Sequence, residues 1–133
     1  MERLVVAATD VIIDFFSGSE PFAQIVDNLI RKDRLALTSI SVFELYAGVL
    51  GSKRLGQIDD LVSALTVFSL RTADALAAVG IYNDLKRGGH LIGIQDILIA
   101  GICIARKRPL LTRNTDHLSR IPALKLSGVE EFA

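Results

Sequence analysis

The amino-acid sequence predicts an α/β domain of three layers, in which a central parallel sheet of about four or five strands lies between helices. Three observations lead to this prediction. The chain has 133 residues, which is the length of a single domain, and half of these residues are hydrophobic. Its apolar runs are short, as in strands that are buried on both faces. These runs alternate with segments of helical periodicity. We therefore expect residues 1–133 to form one domain.

The first half of the chain predicts two strands and four helices. In the second helix, apolar residues recur at spacings of three and four, as one buried stripe requires. The predicted elements are a strand at Leu4–Ala8, a short helix at Val11–Phe16 after Thr9 and Asp10, a helix from Glu20-Pro21 to about Lys32, a strand at Leu35–Thr38, a helix from Ser41 to about Leu50 and a helix at Leu55–Ala64.

The second half predicts two long helices and two or three strands. The cationic end of the last helix, at Arg106-Lys107-Arg108, complements the helix dipole. The predicted elements are a strand at Val67–Leu70, a helix from Thr72 to about Lys86, a buried helix at Gly93–Arg108, a strand at Pro109–Thr112 and a fifth candidate strand at Leu124–Leu126.

Charge and cysteine content exclude several classes of protein. The 15 basic and 15 acidic residues cancel, whereas proteins that coat nucleic acid usually carry an excess of Lys and Arg. The single cysteine, Cys103, excludes a disulfide within the chain. We find no signal peptide, and the apolar stretch around Leu91–Ala105 is too short to span a bilayer. These features predict a cytoplasmic protein without a membrane partner.

Candidate functional residues follow the strands, where ligand chemistry gathers in a parallel sheet. Glu44 lies three residues after Ser41, which is also the pattern of a helix capping box. Asp96 begins an otherwise apolar helix, so it either complements the helix dipole or meets a cation in a cleft. Asp116 and Asn114 lie in a segment that also has the composition of a simple turn.

Carboxylates that converge at such an edge bind hard cations such as Mg²⁺ or Mn²⁺. Asp10 and Asp14 surround the first short helix, where either is a cap or a solvated residue. Other chemistries have little support. His90 and His117 lack ligand spacing, and the chain has neither a glycine-rich phosphate loop nor a nucleophile elbow.

Four segments together resemble the PIN-domain family, and specifically the VapC-type toxins of toxin–antitoxin pairs. The resemblance covers the chain in order and spacing, and the third and fourth segments are quite specific. The segments are Ala8–Asp14 (ATDVIID), Ser41–Gly48 (SVFELYAG), Ile92–Ala100 (IGIQDILIA) and Leu111–Leu124 (LTRNTDHLSRIPAL).

This resemblance implies a PIN-like fold and an RNA-cleaving nuclease that uses Mg²⁺ or Mn²⁺. Carried over residue by residue, it implies that Glu44, Asp96 and Asp116 are catalytic metal ligands. Thr9, Asp10, Thr112 and Asn114 then support the site. The implied partners are an RNA substrate, a small antitoxin protein whose tail enters the cleft, and a second copy of the chain in a homodimer.

The sequence departs from the family pattern at Ala8, where the family has its first aspartate. Alanine has no ligand atom, and Asp10 lies about 6–7 Å further along an extended chain. Ala8 is either a substitution that silences a toxin or a natural loss in a weakened relative. The intact remainder of the pattern favours the first explanation.

Two functions from different classes stay open. The preferred one is a metal-dependent endoribonuclease scaffold that is inactive or weakened by Ala8. The alternative is a non-enzymatic PIN-like module that binds a partner protein or RNA. The two functions differ in what they predict when Ala8 becomes aspartate, because only the nuclease gains activity.

Overall fold

The computed structural model describes residues 3–128, in which seven helices and four strands alternate along the chain. In order, these elements are β1 Val5–Ala7, α1 Thr9–Ser17, α2 Phe22–Arg31, β2 Leu35–Thr38, α3 Ser39–Ala47, α4 Ser52–Ala64, β3 Thr66–Phe68, α5 Thr72–Arg87, α6 Ile94–Arg106, β4 Leu110–Leu111 and α7 Thr115–Leu118.

The four strands form one parallel sheet in the order β3-β2-β1-β4. Val5 pairs with Leu35 of β2, and Val6 pairs with Leu110 of β4, so β1 lies between these two strands. Because all strands run the same way, their carboxyl ends meet at one edge of the sheet. The segments that follow β1, β2 and β4 are therefore close in space.

Alternate residues of the strands face two separate hydrophobic cores. Val5 and Ala7 pack with apolar residues of α1, α2, α3 and α4. Val6 and Ala8 face the other way and pack with residues of α5 and α6. Successive side chains of a strand point to opposite faces, so both faces of the sheet are covered. The predicted three-layer arrangement is confirmed.

Helix α3 begins two residues earlier than predicted, and this changes the interpretation of Glu44. The cap is Thr38, whose Oγ1 accepts a hydrogen bond of 3.2 Å from the backbone N–H of Ser41. Ser41 is therefore inside the helix, and the Ser41–Glu44 capping box that the sequence suggested is wrong. The carboxylate of Glu44 is left available for another role.

The last part of the sheet is smaller than predicted. The strand expected at Pro109–Thr112 is reduced to the two residues of β4. Leu126 pairs with Leu110 in a single parallel bridge rather than a fifth strand. Both backbone bonds of Leu110 on that side go to Lys125 and Ser127. Because β4 has only two residues, its outer edge pairs, within residues 3–128, with this short segment alone.

Helices α5 and α6 pack closely around Gly101. A Cβ atom at this position would lie 2.7 Å from the carbonyl oxygen of Asp74 and 2.8 Å from the Cβ of Ala78. The contact is tighter than any side chain allows, so glycine is required for this approach.

No helix in residues 3–128 has the length and apolar character needed to cross a membrane.

Asp74 is completely buried beside this contact and is held by two arginines. Arg71 Nη2 lies 3.0 Å from its Oδ1, and Arg106 Nη2 lies 3.4 Å from its Oδ2. Burial alone would raise the pKa of Asp74, but the hydrogen bonds from Arg71 and the charges of both arginines outweigh it and hold the pKa below its ordinary value. Asp74 is thus a buried anion with its charge compensated.

Candidate metal centre

Glu44 is oriented by a threonine from the opposite side of the cleft. Glu44 is half-buried on α3, and Oγ1 of Thr9 donates a hydrogen bond of 2.7 Å to its Oε1. The same threonine oxygen lies 2.9 Å from Oγ of Ser41. Thr9 directly follows the end of β1, and Glu44 lies in the helix that follows β2. The parallel pairing of these strands brings the two residues together.

Asp96 lies in the first turn of α6 and contacts the segment that follows β4. Nδ2 of Asn114 donates a hydrogen bond of 3.3 Å to Oδ2 of Asp96. Burial raises the pKa of Asp96 above its ordinary value, and the charges of Asp10 and Glu44 raise it further. The Asn114 hydrogen bond and the nearby His117 act in the opposite direction. Asp96 therefore lies within electrostatic reach of both Asp10 and Glu44.

Asp10 is more deeply built into the site than the sequence indicated. Its Oδ2 accepts hydrogen bonds from Oγ1 of Thr112 at 3.1 Å and from the backbone N–H of Arg113 at 3.2 Å. Its Oδ1 is buried and has no hydrogen-bond partner within residues 3–128. A carboxylate oxygen that is removed from water without a donor is costly. A cation would compensate this atom.

Two further residues of the site were missed in the sequence. Nη1 of Arg113 lies 3.1 Å from Oδ1 of the buried Asp14. Nδ1 of His117 lies 3.1 Å from Nδ2 of Asn114. The feature that could have indicated them is their position in the segment Leu111–Leu124, which resembles the PIN-domain family. Neither residue type in isolation distinguishes a site from a turn.

Asp116 is the predicted ligand that the structure places least deeply. It is exposed in the first turn of α7, and Oγ of Ser119 donates a hydrogen bond of 3.2 Å to its backbone carbonyl oxygen. The charges that act on Asp96 are those of Asp10, Glu44 and His117. The role of Asp116 as a metal ligand stays a prediction.

The donor atoms are of the type that a hard divalent cation prefers, but within residues 3–128 they do not form a complete set. The converging groups are carboxylate oxygens, which Mg²⁺ and Mn²⁺ prefer, and Asp10 Oδ1 is a buried oxygen without a partner. Yet the described part of the chain contains no cluster of three or more His, Cys, Asp or Glu side chains arranged to hold a metal. Ala8 directly follows β1 and is only 6% exposed. Its methyl group carries no ligand atom.

A cavity of about 280 Å³ opens next to Glu44 between α1, α3 and α4. Ile13, Phe16 and Leu50 give it apolar walls, and Arg54 adds a cation that lies 5.0 Å from the ring centroid of Phe16. Leu50 and Ile13 are exposed. The carboxylate of Glu44 thus borders an apolar groove.

Comparison with known proteins identifies similar sequences and folds. A sequence profile of the PIN domain matches residues 6–124. Ribonuclease VapC3 of Methanocaldococcus jannaschii is 34% identical over 95 residues, which make up 71% of this chain and 92% of that relative. Ribonuclease VapC2 of Rickettsia felis is 31% identical over 104 residues, or 75% of this chain and 78% of the relative.

A solved structure shares the fold over nearly the whole chain. It is a DNA-bound VapBC complex from Salmonella typhimurium, and the match covers 95% of this chain and 98% of the matching chain. The TM-score is 0.82 at 24% sequence identity. At this identity the likeness concerns the fold.

Proposed function

Because the chain belongs to the PIN-domain family, we propose that it is a VapC-like endoribonuclease scaffold for the cleavage of RNA phosphodiesters, weakened by Ala8. The observation that carries this proposal is the convergence of Glu44, Asp96 and Asp10 beyond the carboxyl ends of β1, β2 and β4. The similarity to proteins named as VapC ribonucleases supports the reaction class.

Glu44 and Asp96 would hold the divalent cation, with Asp10 and Asp116 completing or supporting the set. We propose Mg²⁺ or Mn²⁺, because the available donors are oxygens. When bound, such an ion supplies activation of a water and stabilisation of the charge that develops on the phosphate.

The other residues of the site position these carboxylates. Thr9 fixes the direction of Glu44, and Asn114 fixes that of Asp96. Thr112 and the backbone of Arg113 occupy one oxygen of Asp10 and leave the other free. Ligands held in this way lose little conformational entropy when a cation binds, since they are already ordered.

The proposed partners are an antitoxin protein, RNA and a second copy of the chain. The apolar groove beside Glu44 suits the tail of an antitoxin, and two similar solved structures are described as toxin–antitoxin systems. For the homodimer, the support is the exposure of large apolar side chains outside that groove, including Phe43 at 70% and Leu76 at 66%.

The second candidate, a PIN-like module that binds RNA or protein without cleavage, is favoured by one observation. With Ala8 in place, residues 3–128 present no complete metal-holding cluster. Both candidates share the fold and the groove, so only restoration of the missing carboxylate separates them.

The test is cleavage of a panel of single-stranded and structured RNAs by the purified Ala8→Asp protein in Mg²⁺. We expect Ala8→Asp to raise the cleavage rate by roughly 10²-fold or more, since disrupted electrostatic preorganisation typically costs that much. Adding Asp96→Asn should abolish the gain, whereas Asp27→Asn, a control on the exposed face of α2, should keep it. If the folded Ala8→Asp protein binds Mg²⁺ but cleaves none of the panel, the binding module is the correct function.

A further inference from the structure

A second cavity, of about 270 Å³, lies at the opposite edge of the sheet from the carboxylates. Arg3 lies shortly before β1 and Pro109 lies directly before β4, so both line the cavity from the amino ends of neighbouring parallel strands. We call this cavity the amino-edge pocket. The metal centre lies beyond the carboxyl ends of the same two strands.

Four cationic side chains line the amino-edge pocket, and no acidic one does. They are Arg3, Lys107, Arg108 and Lys125. The protein as a whole has equal numbers of acidic and basic residues, so this is a local excess of positive charge. Within residues 3–128, none of the four takes part in an ion pair.

The helix dipole explains only part of this cluster. Lys107 and Arg108 follow the end of α6, where cations complement the partial negative charge of the helix end. Arg3 and Lys125 come from other segments and have no such reason to be there. In addition, Nε of Arg108 is buried without a hydrogen-bond partner in the described chain. A buried donor of this kind calls for an acceptor.

Lys107 occupies a position that usually suits glycine. It ends α6 with φ +56° and ψ +47°, in the left-handed region. A residue with a Cβ adopts this conformation at a cost of roughly 1–2 kcal/mol, and glycine is the common choice at such helix ends. A lysine here keeps a charge that the helix dipole favours, and it lines the amino-edge pocket as well.

We propose that the amino-edge pocket binds a phosphate-bearing ligand of about mononucleotide size. Arginine and lysine are the side chains that recognise phosphate, through charge-assisted hydrogen bonds. The apolar wall formed by Ile104, Pro109 and Leu124 accommodates the organic part of the ligand. The cavity volume lies just below the range of about 300–1,000 Å³ for small-molecule pockets, so the ligand is small.

The phosphate group of the ligand belongs either to a free nucleotide or to the backbone of an RNA. The proposal goes beyond the ribonuclease function and does not depend on it, because the pocket shares no residue with the metal centre. Failure of RNA cleavage by Ala8→Asp would leave this proposal unaffected.

The test compares binding of three probes by isothermal titration calorimetry at low salt: inorganic phosphate, adenosine monophosphate and hexauridylate. The test variant is Lys107→Gly/Lys125→Gln, which removes two charges. Glycine suits the backbone at residue 107, and thermal unfolding should show that the variant is at least as stable as the parent. The control, Lys53→Gln/Lys86→Gln, removes two exposed lysines that do not line the pocket.

We expect adenosine monophosphate to bind the parent and the control equally, and to bind the test variant roughly tenfold or more weakly. If hexauridylate binds more tightly than the mononucleotide and loses affinity in the test variant, the source is RNA backbone. If hexauridylate affinity is the same in the parent and the test variant, the source is a free nucleotide. Absence of saturable binding of all three probes, or equal binding by both double variants, would overturn the proposal.

Discussion

Replacement of Ala8 by aspartate should make the stability of the protein depend on divalent metal. Ala8 is the N-cap of α1 and makes no side-chain capping bond. An aspartate cap is worth about 1 kcal/mol over alanine. Carboxylates that share a cation lie on the order of 5 Å apart, where repulsion is roughly 3 kcal/mol at an effective dielectric constant of 20. Without metal, Ala8→Asp should therefore be about 2 kcal/mol less stable than the parent.

Mg²⁺ should reverse this difference. A ligand at about 100 times its dissociation constant stabilises the folded state by about 2.7 kcal/mol, which for a domain of this size is on the order of 10 °C in Tm. The assay is thermal unfolding of both proteins with EDTA and with Mg²⁺. The parent should shift little. An equal Mg²⁺ shift in both proteins, or no shift in Ala8→Asp, would refute the reasoning that residue 8 completes the metal centre.

Three further predictions concern the buried titratable groups of helices α5 and α6, Asp74 and Cys103. Asp74→Asn should lower the free energy of unfolding by about 2–3 kcal/mol, because it leaves two arginines without their anion. The control Asp84→Asn, on the exposed face of the same helix, should change the free energy of unfolding by less than about 0.5 kcal/mol. Since the folded-state pKa of Asp74 is lowered, the stabilisation that its carboxylate provides is present above pH about 4 and is lost as pH falls further. Urea unfolding of both variants at pH 7 and pH 3 checks this. A difference in unfolding free energy between Asp74→Asn and the parent that is the same at both pH values would contradict it. Burial, with the charge of Asp74, raises the pKa of Cys103 to about 12. Iodoacetamide should therefore label this thiol at pH 8 only after unfolding, and mass spectrometry measures the labelling. Rapid labelling of the native protein would show that Cys103 is not buried.

The sheet and its helices were predictable because each depends on a local pattern. Short apolar runs predicted the strands, and β2 was placed at Leu35–Thr38 as observed. The start of α3 was not predicted correctly, because Thr38 and Ser41 are both good helix caps and only the packing of the folded chain decides between them. Thr38 is completely buried at the end of β2, which places it at the cap.

The site was predictable where a single residue stands out in its own segment. Glu44 could be proposed because its helix follows β2, and Asp96 because it is an acid at the start of an otherwise apolar helix, although that helix follows α5 and not a strand. The environment of Asp10 could not, because its partners Thr112 and Arg113 lie more than 100 residues away in sequence. The amino-edge pocket was hidden for the same reason, since its cations are spread from residue 3 to residue 125 and cancel in the net charge.

The glycine contact between α5 and α6 also sets the position of a carboxylate that it does not touch. Gly101 lies five residues after Asp96 on the same rigid helix, which is about 7.5 Å along the axis. Because a methyl group at residue 101 would meet the backbone of α5, it would displace α6 as a whole and carry Asp96 with it. A misplacement of about 1 Å at a reacting centre can cost roughly 10²-fold in rate. The α5–α6 spacing is thus a mechanical reference for the proposed metal centre, because any change that widens it would displace Asp96.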